Sequence, residues 1–525
     1  MKSGMKRRDF LGYGATAAIA IPTSSSLIEL LFGGEALAAA TPGTSVRYFA
    51  RFGVTEALLR ETLGVALAKG ADHADVFLQH RISNQLSLED GAVNRAYARV
   101  ELGAGVRVVK GDQQGYGYTE DLSAEALKEA ARTAAVIADG PAREAPAKLR
   151  VTEGLPSRYA IDTPWESVRP QPKLALLDKV NAQMFASDPR IAKVTIGFSD
   201  QAGVILIADA TGRIVEDVQP MTSLYVSCVA EKDGRREQNG YNVAARAGME
   251  FYAKERVDRV VKEAVARTVV LFDAEPAPAG EMPVVMAAGS SGILLHEAIG
   301  HGMEADFNRK GISIYADKIG KPVAQKFVNI VDEGTLANAR GALNVDDEGN
   351  GVGTTHLVTD GILTTYLHDS ISAKHYKVES TGNGRRESYA HIPMPRMRAT
   401  YMLPGPHKAD EIVASVKKGL LCEAFSNGQV NIGPGDFTFY VKNGWLIENG
   451  KKTKPVKDVN IIGNGPKVLE RIDMVADDLK IDEGGWTCGK EGQSVPVLCK
   501  DSRRYASLPS PWAAAPTSRS PRPGA

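Results

Sequence analysis

The chain has 525 residues, too many for one ordinary hydrophobic core, so two or three globular units are expected. Apolar residues make up 43% and charged residues 24%, which excludes a disordered or fibrous chain. The 63 basic and 63 acidic side chains cancel, and no basic, aromatic-rich stripe appears, which argues against nucleic acid as a partner.

The first residues read as an address. Lys6-Arg7-Arg8 runs into Asp9-Phe10-Leu11, an alanine-rich apolar stretch follows, and Ala36-Leu37-Ala38 offers the small-x-small pattern of a signal peptidase site. Residues 1–38 therefore resemble a twin-arginine export signal, and a periplasmic or otherwise exported product is expected. No later run approaches the about 18 apolar residues needed to span a bilayer, so no stable membrane insertion is expected.

Helical periodicity marks Val54 to Ala71, and strand-like alternation follows from Asp75 to Tyr118, with Asp90-Gly91 and Lys110-Gly111-Asp112 as hairpin turns. Ser123 caps a helix to Asp139, and further helices are expected over Leu174 to Ala186 and Phe251 to Val270. Between the last two lie strands around Ile191 to Ile214 and Met221 to Glu231. The alanine- and proline-rich stretch from Asp273 to Gly280 reads as a linker. After it come a short apolar strand, Met282 to Ala288, and a helix over Ile293 to Glu304. Asn443-Gly444 is the expected turn of a late hairpin. The fold class is α+β with mixed or antiparallel sheets flanked by helices, divided into domains at 46–272 and 281–500. Residues 501–525, rich in Ser, Pro, Arg and Ala, are expected to be a disordered tail. Cys228 and Cys422 each sit in an apolar run and read as buried thiols; the four cysteines show no compact disulfide framework.

The chemistry lies after the linker. His296-Glu297-Ala298-Ile299-Gly300-His301 spaces two histidines five apart, one more than the common zincin helix. In a regular helix five residues advance roughly 140° around the axis, too far for two imidazoles to meet one ion. A widened turn, or a break near Gly300, would bring them together. Glu297 would then serve as general base beside a metal held by His296 and His301. Two residues qualify as third ligand: Glu304, three positions past His301, and Cys488, in the glycine-flanked turn Gly484 to Lys490. Arg386, Tyr389 and His391 are candidate donors to the charged oxygen of a tetrahedral intermediate or to substrate.

Further segments carry a resemblance. Gly103-Ala104-Gly105-Val106-Arg107-Val108 with Gly115-Tyr116-Gly117, the histidine motif followed by Glu304-Ala305-Asp306-Phe307, and Asp346-Asp347-Glu348-Gly349 come first. Ser380 to Arg386, Pro395-Arg396-Met397, Gly428-Gln429-Val430-Asn431 and Cys488 to Gln493 follow in order. Together they resemble the TldD/PmbA family of metallopeptidases, on its metal-bearing TldD branch. The resemblance implies a two-domain architecture, one Zn2+ per chain held by His296, His301 and Cys488, and hydrolysis of unfolded or small peptides bound in extended form. It also implies a dimer, with itself or with a PmbA-like relative. The chain departs from the family pattern at Ala399, where Asn is usual, and in its tail. Two other readings use the same residues: a noncatalytic peptide-binding or assembly subunit with a structural metal, and a metal-dependent amidase.

Overall fold

A computed structural model describes residues 45–516 apart from 290, 503 and 507–512; the proposed export signal lies outside the described residues. Helix α1 (Glu56–Leu67) opens on Thr55, whose hydroxyl accepts from the Leu58 amide, a cap worth about 1 kcal/mol. Strands β1 (His73–Glu89) and β2 (Ala92–Lys110) form a long antiparallel hairpin that turns at Asp90 and Gly91, both with positive φ. β3 (Gln113–Thr119) returns along β2, and α2 (Ala124–Ala135) starts at its Ser123 cap. That helix stops near Ala135, before the expected Asp139.

After α3 (Pro170–Ser187), the strand β4 (Ile191–Asp209) extends the sheet on the far side of β1. Its second half pairs β5 (Arg213–Val218), and its first half pairs β6 (Met221–Lys232), which pairs β7 (Arg235–Ala245). Helix α4 (Lys254–Val269) closes this half. Its Val257, Val260, Val261 and Ala264 recur at helical spacing and share one core with Leu177 and Val180 of α3 and Val194, Ile196, Val226 and Val243 of the sheet.

The stretch read as a linker is not free chain: Glu275–Pro276 and Gly280–Glu281 each pair into the second sheet. That ten-stranded sheet contains β8 (Val284–Met286), β9 (Lys418–Asn431), β10 (Asp436–Glu448), β11 (Val459–Asn464) and β12 (Ile472–Val475). β8 and β9 are parallel; β9, β10 and β11 are antiparallel neighbours. A separate hairpin joins β13 (Thr487–Lys490) to β14 (Gln493–Pro496).

Two expectations fail here. Asn443-Gly444 is not a turn: β10 runs straight through it, and the hairpin closes at Asn449 and Gly450, both with positive φ. Asn443 is instead held against the first half, accepting from the Asn239 amide and donating to the Arg267 carbonyl. The tail expected to be disordered from 501 contains strands β15 (Arg504–Ala506), between β8 and β12, and β16 (Ala513–Pro516), against β11. Main-chain pairing within a sheet needs no apolar alternation, so composition gave no sign of it. The remainder of that tail lies outside the described residues.

The two halves meet through a small apolar cluster in which Phe77, Ile205, Ile207 and Val215 touch Val345 and Tyr389. Gly103 and Gly105 on β2 leave the room: a Cβ at either would overlap Tyr389. Beneath this contact Arg107 of β2 is buried between Asp75 and Glu348, tying the first sheet to the Asp346–Glu348 turn. Cys228 and Cys422 are buried, as are Cys488 and Cys499. Among the described residues, no helix is long and apolar enough to cross a membrane.

Candidate metal centre

The histidine motif sits directly after β8, where the chain leaves the second sheet as a single turn of α-helix, Gly292–Leu295. From His296 to Gly300 the helix widens into a π turn, and the amide of His301 donates to the carbonyl of His296, an i to i+5 bond. This is the deformation that the extra residue requires. The two imidazoles lie on one side of the helix with ring centroids 5.1 Å apart and nearly perpendicular planes.

Gly300 contributes differently from the expectation. Its φ of −60° is ordinary for a helix, so left-handed freedom is not used. Bulk is the constraint: a Cβ there would overlap the sulfur of buried Met397. On another side of the turn, Gly465 packs so closely that a Cβ would overlap the Ala298 carbonyl. The widened turn is thus clasped by tight packing.

Cys488 on β13 completes the cluster. One donor atom each from His296, His301 and Cys488 lie within 4.8 Å of one another, and the Cys488 sulfur is 3.4 Å from His301 Nε2. All three side chains are buried, and the buried Nε2 of His296 has no hydrogen-bond partner. An imidazole nitrogen desolvated without a partner is costly unless something else occupies its lone pair, and a metal ion meets that need. Burial works against the Cys488 thiolate, but His296 and His301 outweigh it and hold the thiol well below its ordinary pKa. The donor set of two imidazoles and a thiolate fits a zinc-type ion.

Glu304 is not drawn into the donor set. Its Oε2 accepts from His301 Nδ1 at 2.9 Å and from Lys490 at 3.0 Å, leaving Nε2 of His301 toward Cys488. Burial opposes its charge, yet Lys490 and then His301 prevail and bring its pKa down to about 2. For His301, burial disfavours the cation, while Glu304 and Cys488 more than compensate and raise its pKa. Glu304 therefore fixes the ring orientation of His301 from behind. Lys490 is itself buried, bridging Glu304 and Asp306 and donating to the Pro395 carbonyl. Lys490 and Asp306 belong to the motifs that carried the resemblance, but nothing in their spacing announced this role. Arg396, from another of those motifs, donates to the Cys488 carbonyl at 2.5 Å.

Glu297 differs from these neighbours in being reachable. Its side chain keeps 18% exposure, against 4% for His301 and none for Glu304, and its carboxylate lies 3.7 Å from His301 Nε2. Burial raises its pKa above the usual carboxylate value, partly offset by the two histidines.

The three expected oxyanion or substrate contacts are committed to other partners. Arg386 donates to the Asp347 carbonyl and the Tyr116 hydroxyl and lies over the Phe77 ring. Tyr389 donates to Glu120, and His391 Nδ1 meets the Ser388 hydroxyl. Arg386 and Tyr389 join the two halves of the molecule through these contacts. Ala399, where the family pattern has Asn, is buried in a small cluster with Val331, Tyr401 and Leu498.

Comparison with known proteins identifies the family of the chain. Family profiles described as PmbA/TldA metallopeptidase domain 1, central domain and C-terminal domain match residues 74–138, 163–272 and 279–502. A metalloprotease TldD homolog of Haemophilus influenzae is 40% identical over 436 residues, covering 82% of this chain and 90% of that protein. One from Buchnera aphidicola is 37% identical over 435 residues, covering 81% and 89%. Among solved structures, TldE from Thermococcus kodakarensis superposes with a TM-score of 0.66 at 18% identity, covering 87% of this chain and 99% of that one. A Thermotoga maritima protein titled a putative modulator of a DNA gyrase gives 0.70 at 20%, covering 89% and 100%. At such identities these two likenesses show the fold alone, whereas the profiles and sequence relatives show descent: the chain belongs to the TldD/PmbA family of metallopeptidases.

Proposed function

We propose that this chain is a zinc-dependent peptidase in which His296, His301 and Cys488 hold one Zn2+ and Glu297 is the general base. The observation that carries the reading is the π turn, which aligns the two histidines beside a buried cysteine and leaves the intervening glutamate accessible. Zinc held there supplies Lewis-acid polarisation of the scissile carbonyl and an acidified water. Glu297 accepts a proton from the attacking water and returns it to the departing amine, and its raised pKa brings it nearer the working pH of a general base. His301 is kept in orientation by Glu304, and Glu304 by Lys490. The substrate class that fits the family is an unfolded or small peptide.

A noncatalytic subunit with a structural metal would call for a closed set of four protein ligands. Glu304 is not among the three clustered donors and its Oε2 is engaged by His301 and Lys490, which favours the open, catalytic kind of site. An amidase would use the same residues on a different substrate.

The deciding experiment is metal content with peptide hydrolysis in parallel. The wild type is expected to carry one zinc per chain and to cleave an unfolded peptide, while His301→Ala and Cys488→Ser lose both. A wild type that stays metal-free and inert when zinc is supplied would sink the proposal.

Export is proposed on the Lys6-Arg7-Arg8-Asp9-Phe10-Leu11 pattern. Replacing Arg7 and Arg8 together by Lys should leave uncleaved precursor in the cytoplasm on cell fractionation. Normal export of that variant would remove the twin-arginine assignment. The expected partner is a second copy of this chain or a relative without the metal motif.

A further inference from the structure

Two arginines near the metal-binding hairpin stand without an acid. Arg246 directly follows β7, and its amide donates to the Asn338 carbonyl of the second half. Only 3% of the residue stays exposed, yet its Nε has no hydrogen-bond partner and, among the described residues, its guanidinium makes no ion pair. The guanidinium lies over the Tyr159 ring, 4.9 Å from the centroid. Nearby carboxylates are engaged elsewhere: Asp217 accepts from Tyr159 and Asn344, and Asp347 from the Arg386 amide. Arg340, half-buried, donates to the Trp486 carbonyl at 2.9 Å and to the Thr487 hydroxyl at 3.2 Å, and it too has no carboxylate partner among the described residues. Burial, and then the charge of Arg246, bring the Arg340 pKa down to about 10. A third cation, Arg385, is committed to the Met397 and Pro496 carbonyls and neutralises nothing here. A charge buried without its opposite costs several kcal/mol, so neighbouring guanidiniums in this state call for an anion from outside the chain.

We propose that Arg246 and Arg340 bind a carboxylate of the peptide substrate beside the metal centre. The identity of the ligand rests on the peptidase reading; the need for an anion rests on the arginines alone. A guanidinium offers parallel N–H donors that match the two oxygens of a carboxylate, and neither arginine has given that fork to a carboxylate of its own chain. The place follows from Arg340, whose two partners, Trp486 and Thr487, immediately precede Cys488. Thr487 is exposed while Cys488 is buried, so the chain there is open to a ligand on one side and faces the donor cluster on the other. An extended peptide advances about 3.3–3.6 Å per residue, so a carboxylate held by this pair belongs within a few residues of the bond at the metal. Two parts of a peptide carry that group. A C-terminal carboxylate would direct cleavage near the end of the chain, and an Asp or Glu side chain would give a preference for acidic residues beside the scissile bond.

The test reads binding on the full chain carrying Glu297→Gln, which holds substrate uncleaved. One fluorescently labelled short peptide is used in three forms: with a free C-terminus, with a C-terminal amide, and as the amide with a glutamate placed in its sequence. At least one carboxylate form is expected to bind about tenfold or more tighter than the neutral amide, the scale of hydrogen bonds to a charged group. Preference for the free terminus assigns the site to the C-terminal carboxylate, and preference for the glutamate form assigns it to an acidic side chain. Arg246→Met should abolish the preference, keep binding of the neutral amide within about twofold, and leave the melting temperature level or higher, because an unpaired buried charge has been removed. An arginine with only a structural role would instead weaken all three peptides alike and lower the melting temperature. Arg340→Gln, on the more exposed side, should also reduce the preference, and it carries the test if Arg246→Met does not fold. Equal binding of the three peptides, or a preference that survives these substitutions, overturns the proposal. The peptidase reading fails separately: a chain without zinc or hydrolysis that still prefers the carboxylate keeps this site, and a zinc-bearing peptidase without the preference loses it.

Discussion

Replacing Glu297 by Gln is expected to leave the fold and the metal content unchanged and to lower kcat for peptide hydrolysis by about 100-fold or more, the usual scale for losing a positioned general base. Glutamine matches glutamate in shape, so the packing of the π turn is preserved, and Glu297 is not among the clustered donors. What changes is proton affinity: an amide cannot take the proton from water. Because burial raises the carboxyl's pKa, the native group is a better base than an exposed glutamate, and the substitution removes that advantage as well. The measurement pairs metal analysis with kcat on an unfolded peptide. A variant that retains zinc and turns over within tenfold of wild type would show that another group moves the proton. Loss of zinc together with activity would show instead that Glu297 helps hold the metal.

Much of this site could be read before any coordinates. The interval of five between His296 and His301 demanded a helix defect, and a π turn stands there. Local rules also located the Asp90-Gly91 hairpin and the Ser123 cap, because those depend on neighbouring residues alone. Where two local signals competed, local rules were not enough. Asn443-Gly444 and Asn449-Gly450 are equivalent as dipeptides, and contact with Asn239 and Arg267 across the molecule keeps the first of them in strand. The choice between Glu304 and Cys488 was likewise tertiary, resting on Lys490 meeting Glu304 from a different element. Arg386 and Tyr389 show a related limit of sequence: a polar residue inside a family motif can serve the joint between two halves as readily as a substrate.

Lys490→Met is expected to lower stability by about 3 kcal/mol or more, because it removes one partner of a buried ion group and leaves the others. Lys490 neutralises two buried carboxylates, Glu304 at 3.0 Å and Asp306 at 2.8 Å, and its ammonium lies 4.2 Å from the Phe307 ring centroid. Without it the factor that most opposes burial of the Glu304 charge is gone, so the carboxyl's pKa rises from about 2 and its ionised form becomes harder to keep. The sign follows for His301: a less ionised Glu304 holds the ring's Nδ1 proton less firmly, and the orientation of Nε2 toward Cys488 loosens. Zinc affinity is then expected to fall about 10- to 100-fold even though no ligand has changed. Unfolding of the metal-free protein measures the first effect, and competition with a chelator measures the second. Glu304→Gln separates the two contributions, since the amide oxygen can still accept from Nδ1 while the charge facing Lys490 is lost. If Lys490→Met lowered stability but left zinc affinity unchanged, the ion group would be serving the packing of β13 against α5 (Ala305–Arg309) and not the metal, and the chain of influence from Lys490 through Glu304 to His301 would be broken at its last link.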